Sequence, residues 1–128
     1  MGHITTFGGN PVIAASALAT LKEITGSDLM TESLEKEQLF RKLLVHPLIS
    51  EVRGMGLMLA IITTSEEIAN QLVLKSKEEN LILFWLLFEK KAVRITPPLT
   101  ISEEEIKEGC GIIIAVLDEI MKQSETVN

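Results

Sequence analysis

Apolar and polar positions follow several rhythms along this chain. Residues 12–21 are apolar or small on every helical face, a composition normally carried by a helix that is covered all round. Asn10 and Pro11 supply its N-cap and first-turn residue, and Gly26 its stop. Over residues 27–46 the spacing changes. Leu34, Leu39, Leu43 and Leu44 form a stripe, Glu32, Glu35, Lys36, Glu37, Arg41 and Lys42 a solvated face, and Pro47 the end of a second helix. Residues 49–53 alternate as a strand, Gly54 and Gly56 mark a turn, and residues 57–62 make a strongly apolar partner strand.

Ser65 then caps a third helix reaching residue 79, with Ile68, Leu72 and Val73 inward. Asn80 returns the chain to extended structure. Residues 81–83 and 84–88 read as two short strands, or one bent by a bulge, and residues 92–95 as another, ended by Pro97 and Pro98. Ser102 and Glu105 form a capping box. The helix it opens sends Ile106, Cys110, Ile113, Leu117 and Ile120 inward and frays from Gln123. Gly109 and Gly111 inside it cost up to about 1 kcal/mol each relative to Ala, which predicts close approach of another backbone. The order α, α, β, β, α, β, β, α lacks a regular βαβ alternation. It predicts an α+β fold: a small, mainly antiparallel sheet with helices packed on one face.

Composition narrows the classes. At 128 residues, 46% hydrophobic and 23% charged, the chain suits one compact domain and neither a disordered nor a collagen-like one. A net charge of −6 with four Phe, one Trp and no Tyr argues against a nucleic-acid partner. The single cysteine excludes an internal disulfide framework and suits a reducing compartment. The longest apolar run, residues 81–88, is too short to span a membrane. The start shows no charged-then-apolar leader, and a match of Met1–Thr6 to the myristoylation pattern, with Gly2 as acceptor, has no polybasic or second lipid signal beside it. These features predict a soluble, cytoplasmic protein with no membrane partner. His3 and His46 lie far apart and Cys110 falls on a core face, so neither a metal site nor a nucleophilic triad is expected.

Two constellations carry candidate chemistry. Thr5-Thr6-Phe7-Gly8-Gly9-Asn10-Pro11 is a hydroxyl- and glycine-rich approach to a helix N-terminus. Such a segment is either a capped loop or a place for a phosphate edge, though not a P-loop, since no Gly-Lys-Ser/Thr follows. Arg94, one of three arginines, sits between Val93 and Ile95 just before the stiff Pro97-Pro98 pair. It reads either as a bidentate carboxylate clamp or as an edge-strand arginine paired with a glutamate.

Three ordered segments carry a resemblance: residues 3–11, residues 52–58 (Val-Arg-Gly-Met-Gly-Leu-Met) and residues 93–101 (Val-Arg-Ile-Thr-Pro-Pro-Leu-Thr-Ile). The chain resembles the C-terminal part of class III aminotransferases of the ornithine and acetylornithine type, transferases of pyridoxal 5'-phosphate fold type I. The resemblance runs over essentially all 128 residues. It implies that residues 1–25 are an interdomain loop and linking helix on the large-domain side, and residues 26–128 the small C-terminal domain. It also implies that Thr6, with Thr5 beside it, contacts the cofactor phosphate across a dimer, and that Arg94 clamps the substrate α-carboxylate.

The same resemblance places the Schiff-base lysine, the aspartate on the pyridine nitrogen and the stacking aromatic upstream of the Thr-Phe-Gly-Gly segment. None of the nine lysines stands in the corresponding motif. The expectation is therefore a truncated aminotransferase. Its complete parent moves an amino group from an amino acid or ω-amine to a 2-oxo acid, while the isolated chain neither binds the cofactor tightly nor catalyses. The apolar N-terminal helix predicts a homodimer or higher self-association. The alternative is an autonomous α+β module that binds a carboxylate or regulates a partner without catalysis.

Overall fold

The computed structural model describes residues 4–126; Met1–His3, with Gly2 of the myristoylation pattern and His3 of the first resemblance segment, lie outside the described residues, as do Val127 and Asn128. The chain runs α1 (Pro11–Thr25), α2 (Leu29–Leu43), β1 (Ile49–Met55), β2 (Met58–Thr63), α3 (Glu66–Glu78), β3 (Phe84–Trp85), β4 (Ala92–Ile95) and α4 (Glu103–Thr126). This is the element order expected from the hydrophobic pattern. Asn10 caps α1 as predicted, its Oδ1 accepting from the amides of Val12 at 3.0 Å and Ile13 at 3.4 Å. No side chain of α1 is buried, and its only substantial packing is against α2.

The expected leucine stripe of α2 holds for Leu44, in the core, and for Leu39 and Leu43, packed against it, but the buried face reaches further than the stripe suggests. Glu37, expected in water, is buried with Phe40, whereas Leu34 is half exposed. Positions 33, 37, 40 and 44 follow the i, i+4, i+7 progression of one helical face; Ser33 and Glu37 meet the turn between β1 and β2, and Phe40 and Leu44 enter the core. A carboxylate is stable there because the turn supplies a backbone donor and α2 itself supplies an arginine.

The strands form one antiparallel sheet in the order β1-β2-β4-β3. Met55 pairs with Met58 around Gly56 and Leu57; Gly56 at φ 56 occupies the first central position of a two-residue turn, where glycine suits type II′. Gly54 has φ 128, and a Cβ there would lie 2.1 Å from the Met58 carbonyl oxygen. The apolar run 81–88 yields only two paired residues. Asn80, at φ 62, swings the chain out of α3, Leu81 N–H donates back to the Ser76 carbonyl at 2.9 Å, and a turn from Glu89 to Ala92 closes the other side at 3.0 Å. Uniform apolarity has no period, so it marked the segment without marking its length.

α4 begins with the expected capping box: Ser102 N–H donates to Glu105 Oε2 at 2.8 Å and Glu105 N–H to Ser102 Oγ at 3.2 Å. Its five expected core residues are all buried, and it stays helical through Thr126, past the fraying expected from Gln123. The backbone approach inferred from its glycines does not occur among the described residues. A Cβ at Gly109 would meet only Leu81 Cδ1, at 3.9 Å, and one at Gly111 would meet nothing within 4 Å.

Residues from α2, α3 and α4 share one core with Leu59, Ile61, Val93 and Ile95 of the sheet, so the helices cover one face. On the other face the register sets Arg53, Ala60, Arg94 and Phe84 in a row across all four strands. Among the described residues no helix is long and apolar enough to cross a membrane.

Candidate functional site

β4 alternates. Val93 and Ile95 enter the core, which turns Arg94 to the opposite face, exposed. The three arginines then differ in their partners. Arg41 Nε bonds Glu37 at 2.8 Å, and Arg53 pairs with Glu51 on its own strand. Arg94 makes no ion pair among the described residues; its guanidinium lies 5.2 Å from the centroid of the Phe84 ring. The glutamate partner of the second sequence reading is therefore absent from these residues. Beside Arg94 opens a cleft of about 190 Å³, lined in part by Leu81, Ile82, Phe84, Thr96 and Ile101. The carboxylate of Glu105 also borders it. Hydrogen bonds from Ser102, its backbone first and then its hydroxyl, hold Glu105 below the usual carboxylate range, so this acid is engaged at its own helix cap.

Thr5 and Thr6 are exposed, ahead of a turn in which Asn10 N–H donates to the Phe7 carbonyl at 3.2 Å. Gly9 takes φ 78, which favours glycine, while a Cβ on Gly8 would come within 2.5 Å of Thr5 Cγ2, the end of an exposed side chain that can turn aside. The two threonine hydroxyls make no hydrogen bond among the described residues. The first amides of α1 are occupied by Asn10, so hydroxyls rather than helix amides are what this loop offers an anion. Because α1 packs substantially only on α2, the structure does not bring Thr5 and Thr6 together with Arg94.

Sequence reasoning missed a third feature. Glu37 Oε2 accepts from Gly56 N–H at 2.5 Å while Oε1 accepts from Arg41 Nε, and Arg41 in turn donates to the carbonyls of Val52 and, at 3.0 Å, Gly54. The Arg41 bond, then the Gly56 amide, hold the Glu37 carboxyl below its ordinary range. Glu37 and Arg41 are an i, i+4 pair, which was visible; that both point at a turn more than ten residues away was not. Elsewhere, the buried His46 ring accepts at Nδ1 from Leu48 N–H at 3.1 Å, and its Nε2 lies 3.3 Å from Oδ1 of the half-exposed Asp118. Burial pushes the Cys110 thiol up to about 12, leaving it an inert core residue. No three metal-ligating side chains cluster among the described residues.

The α+β layer thus presents, on the sheet face away from the helices, an arginine with no ion pair among the described residues. Comparison with known proteins supplies the family. The sequence profile of Aminotransferase class-III matches residues 1–117, and the chain belongs to that family. It is 36% identical over 123 residues to the acetylornithine aminotransferase of Caldanaerobacter subterraneus, covering 92% of this chain and 30% of that enzyme. It is 35% identical over 127 residues to the putrescine aminotransferase of Pectobacterium atrosepticum, covering 94% and 26%. The crystal structure of acetylornithine aminotransferase from Elizabethkingia anophelis superposes with a TM-score of 0.79 at 33% identity, over 93% of this chain and 31% of that one. The chain thus spans about 30% of the length of the relatives it matches, whose fold type I architecture its α+β layer shares.

Proposed function

We propose that these residues act as the linking helix and small domain of a pyridoxal-phosphate-dependent aminotransferase whose complete form moves an amino group from an amino acid or ω-amine to a 2-oxo acid. The observation that carries this is Arg94, the one arginine without a carboxylate partner among the described residues, presented on an uncovered sheet face. Its planar fork of N–H donors suits a substrate carboxylate taken bidentately. Thr5 and Thr6 fit a phosphate edge by the chemistry of their donors: two exposed hydroxyls on a glycine-bent loop. Pyridoxal phosphate, when bound, supplies the electron sink for amino-group transfer.

This chain's own residues grip acid groups at two ends. Arg94 orients the substrate by its carboxylate, and Thr5 and Thr6 hold the cofactor's phosphate in the adjoining subunit of a dimer. Residues 1–25 form the link toward the large domain and residues 26–128 the small domain. In isolation the chain grips without turning over, because none of its nine lysines stands in the family's Schiff-base motif. The test is a transamination assay of the purified chain with pyridoxal phosphate, amino donors and 2-oxo acids, alongside carboxylate binding by wild type and Arg94→Ala. The expected result is no turnover, with binding that vanishes in the variant. Turnover by the chain alone, or binding indifferent to Arg94, overturns the proposal.

A further inference from the structure

We infer that Phe84 is a positioning residue for Arg94, holding its guanidinium in the orientation that takes a carboxylate. This rests on the reading of Arg94 as a carboxylate clamp and adds to it the residue that sets its geometry. Phe84 and Arg94 are directly opposed partners on β3 and β4, and the guanidinium lies over the ring at 5.2 Å from its centroid. At that distance the negative face of the ring attracts the cation. The ring engages the cation without using up its N–H donors, and no carboxylate among the described residues takes them. A carboxylate then meets a fork already aimed, and the rotamer freedom that a flexible arginine gives up on binding is already lost in the fold.

What puts Phe84 there is its neighbour. β3 has only two residues, so its facing is fixed by whichever side chain is anchored. Trp85 Nε1–H donates to Asn70 Oδ1 of α3 at 2.8 Å, which commits Trp85 to the helix side. Since successive strand residues point oppositely, Phe84 is delivered to the bare face beneath Arg94. The anchor acts through Phe84 and touches no substrate.

Three arginines make the experiment direct. In the ¹⁵N-labelled 128-residue chain the Arg94 Nε–Hε signal is assigned by its loss in Arg94→Lys, and the probe is glutarate, with glutaramide as neutral control. The expected wild-type signal is displaced upfield by the ring current and moves on adding glutarate but not glutaramide. In Phe84→Leu the upfield displacement disappears and glutarate binds about two- to five-fold more weakly, while Phe84→Tyr, which keeps the ring face, restores both. Phe84 is half exposed, so core methyl signals should report an intact fold in all three. Equal or tighter binding by Phe84→Leu overturns the positioning role and leaves the clamp standing. No response of Arg94 to glutarate in the wild type removes the clamp and the inference together. A wild-type Hε at its random-coil position refutes the ring contact without any variant.

Discussion

Replacing Glu37 by alanine tests how the turn between β1 and β2 is held. The carboxylate satisfies the buried amide of Gly56 and pairs with Arg41, which bonds two carbonyls of β1 leading into the turn. Glu37→Ala leaves the Gly56 N–H without an acceptor and Arg41 without its carboxylate. A buried unsatisfied donor costs roughly 1–3 kcal/mol, and a charged hydrogen bond is worth roughly 1.5–3 kcal/mol. Arg41 keeps access to water at 32% side-chain exposure, which lowers the second contribution, so the expected loss is about 3 kcal/mol at pH 7. For a domain of this size that is on the order of 10 °C in Tm.

The pH dependence follows from the depressed carboxyl. The folded value lies below the 4.5 of the free group, so the contribution is complete above that value and is lost as pH falls through the folded one. Urea denaturation followed by Trp85 fluorescence at pH 7 and pH 3 should show the gap between wild type and Glu37→Ala shrinking on the acid side. An Arg41→Ala double-mutant cycle should give a coupling above about 1 kcal/mol at pH 7. A loss under about 0.5 kcal/mol at pH 7, or a gap that persists unchanged at pH 3, would refute this account of the turn.

Three further outcomes are expected. Ser76 is fully buried and its hydroxyl has no hydrogen-bond partner among the described residues, so Ser76→Ala should raise stability by about 1 kcal/mol; a loss in thermal denaturation would show that the hydroxyl is used. Gly54→Ala should destabilise by more than about 2 kcal/mol, since its φ and the Met58 carbonyl leave no room for a methyl. Near-wild-type unfolding would mean the hairpin relaxes. Light scattering should show the chain self-associating with concentration, and Ile13→Glu with Leu21→Glu, both on the exposed trough of α1, should abolish it. A monomer at high concentration in the wild type contradicts that.

Much of the fold was legible because its signals are local. Asn10-Pro11 and Ser102 with Glu105 mark their helix starts through groups within three residues, and the core face of α4 repeats every three to four residues. Arg94 was legible as a candidate because β4 alternates and prolines follow it. Glu37 was not. Whether a glutamate on α2 faces water or a turn depends on a backbone donor nineteen residues away, which periodicity does not see. Phe84 was hidden for a similar reason: a run of eight apolar residues says nothing about which two will pair. Its facing is decided by Asn70, on a different element. The glycines of α4 misled in the opposite direction, since their low helix propensity was read as a packing demand that no neighbour makes.

Because α1 packs substantially only on α2, the molecule divides into a part that shapes itself and a part held mainly at one end. Sheet and three helices close on one another, so the arginine's whereabouts are settled within this polypeptide. The threonine loop rides on a rod moored at one end, so the sheet and the other helices do not set its bearing. On the proposed reading, cutting at Gly26 would remove the threonines meant for the phosphate and leave the arginine meant for the carboxylate in place.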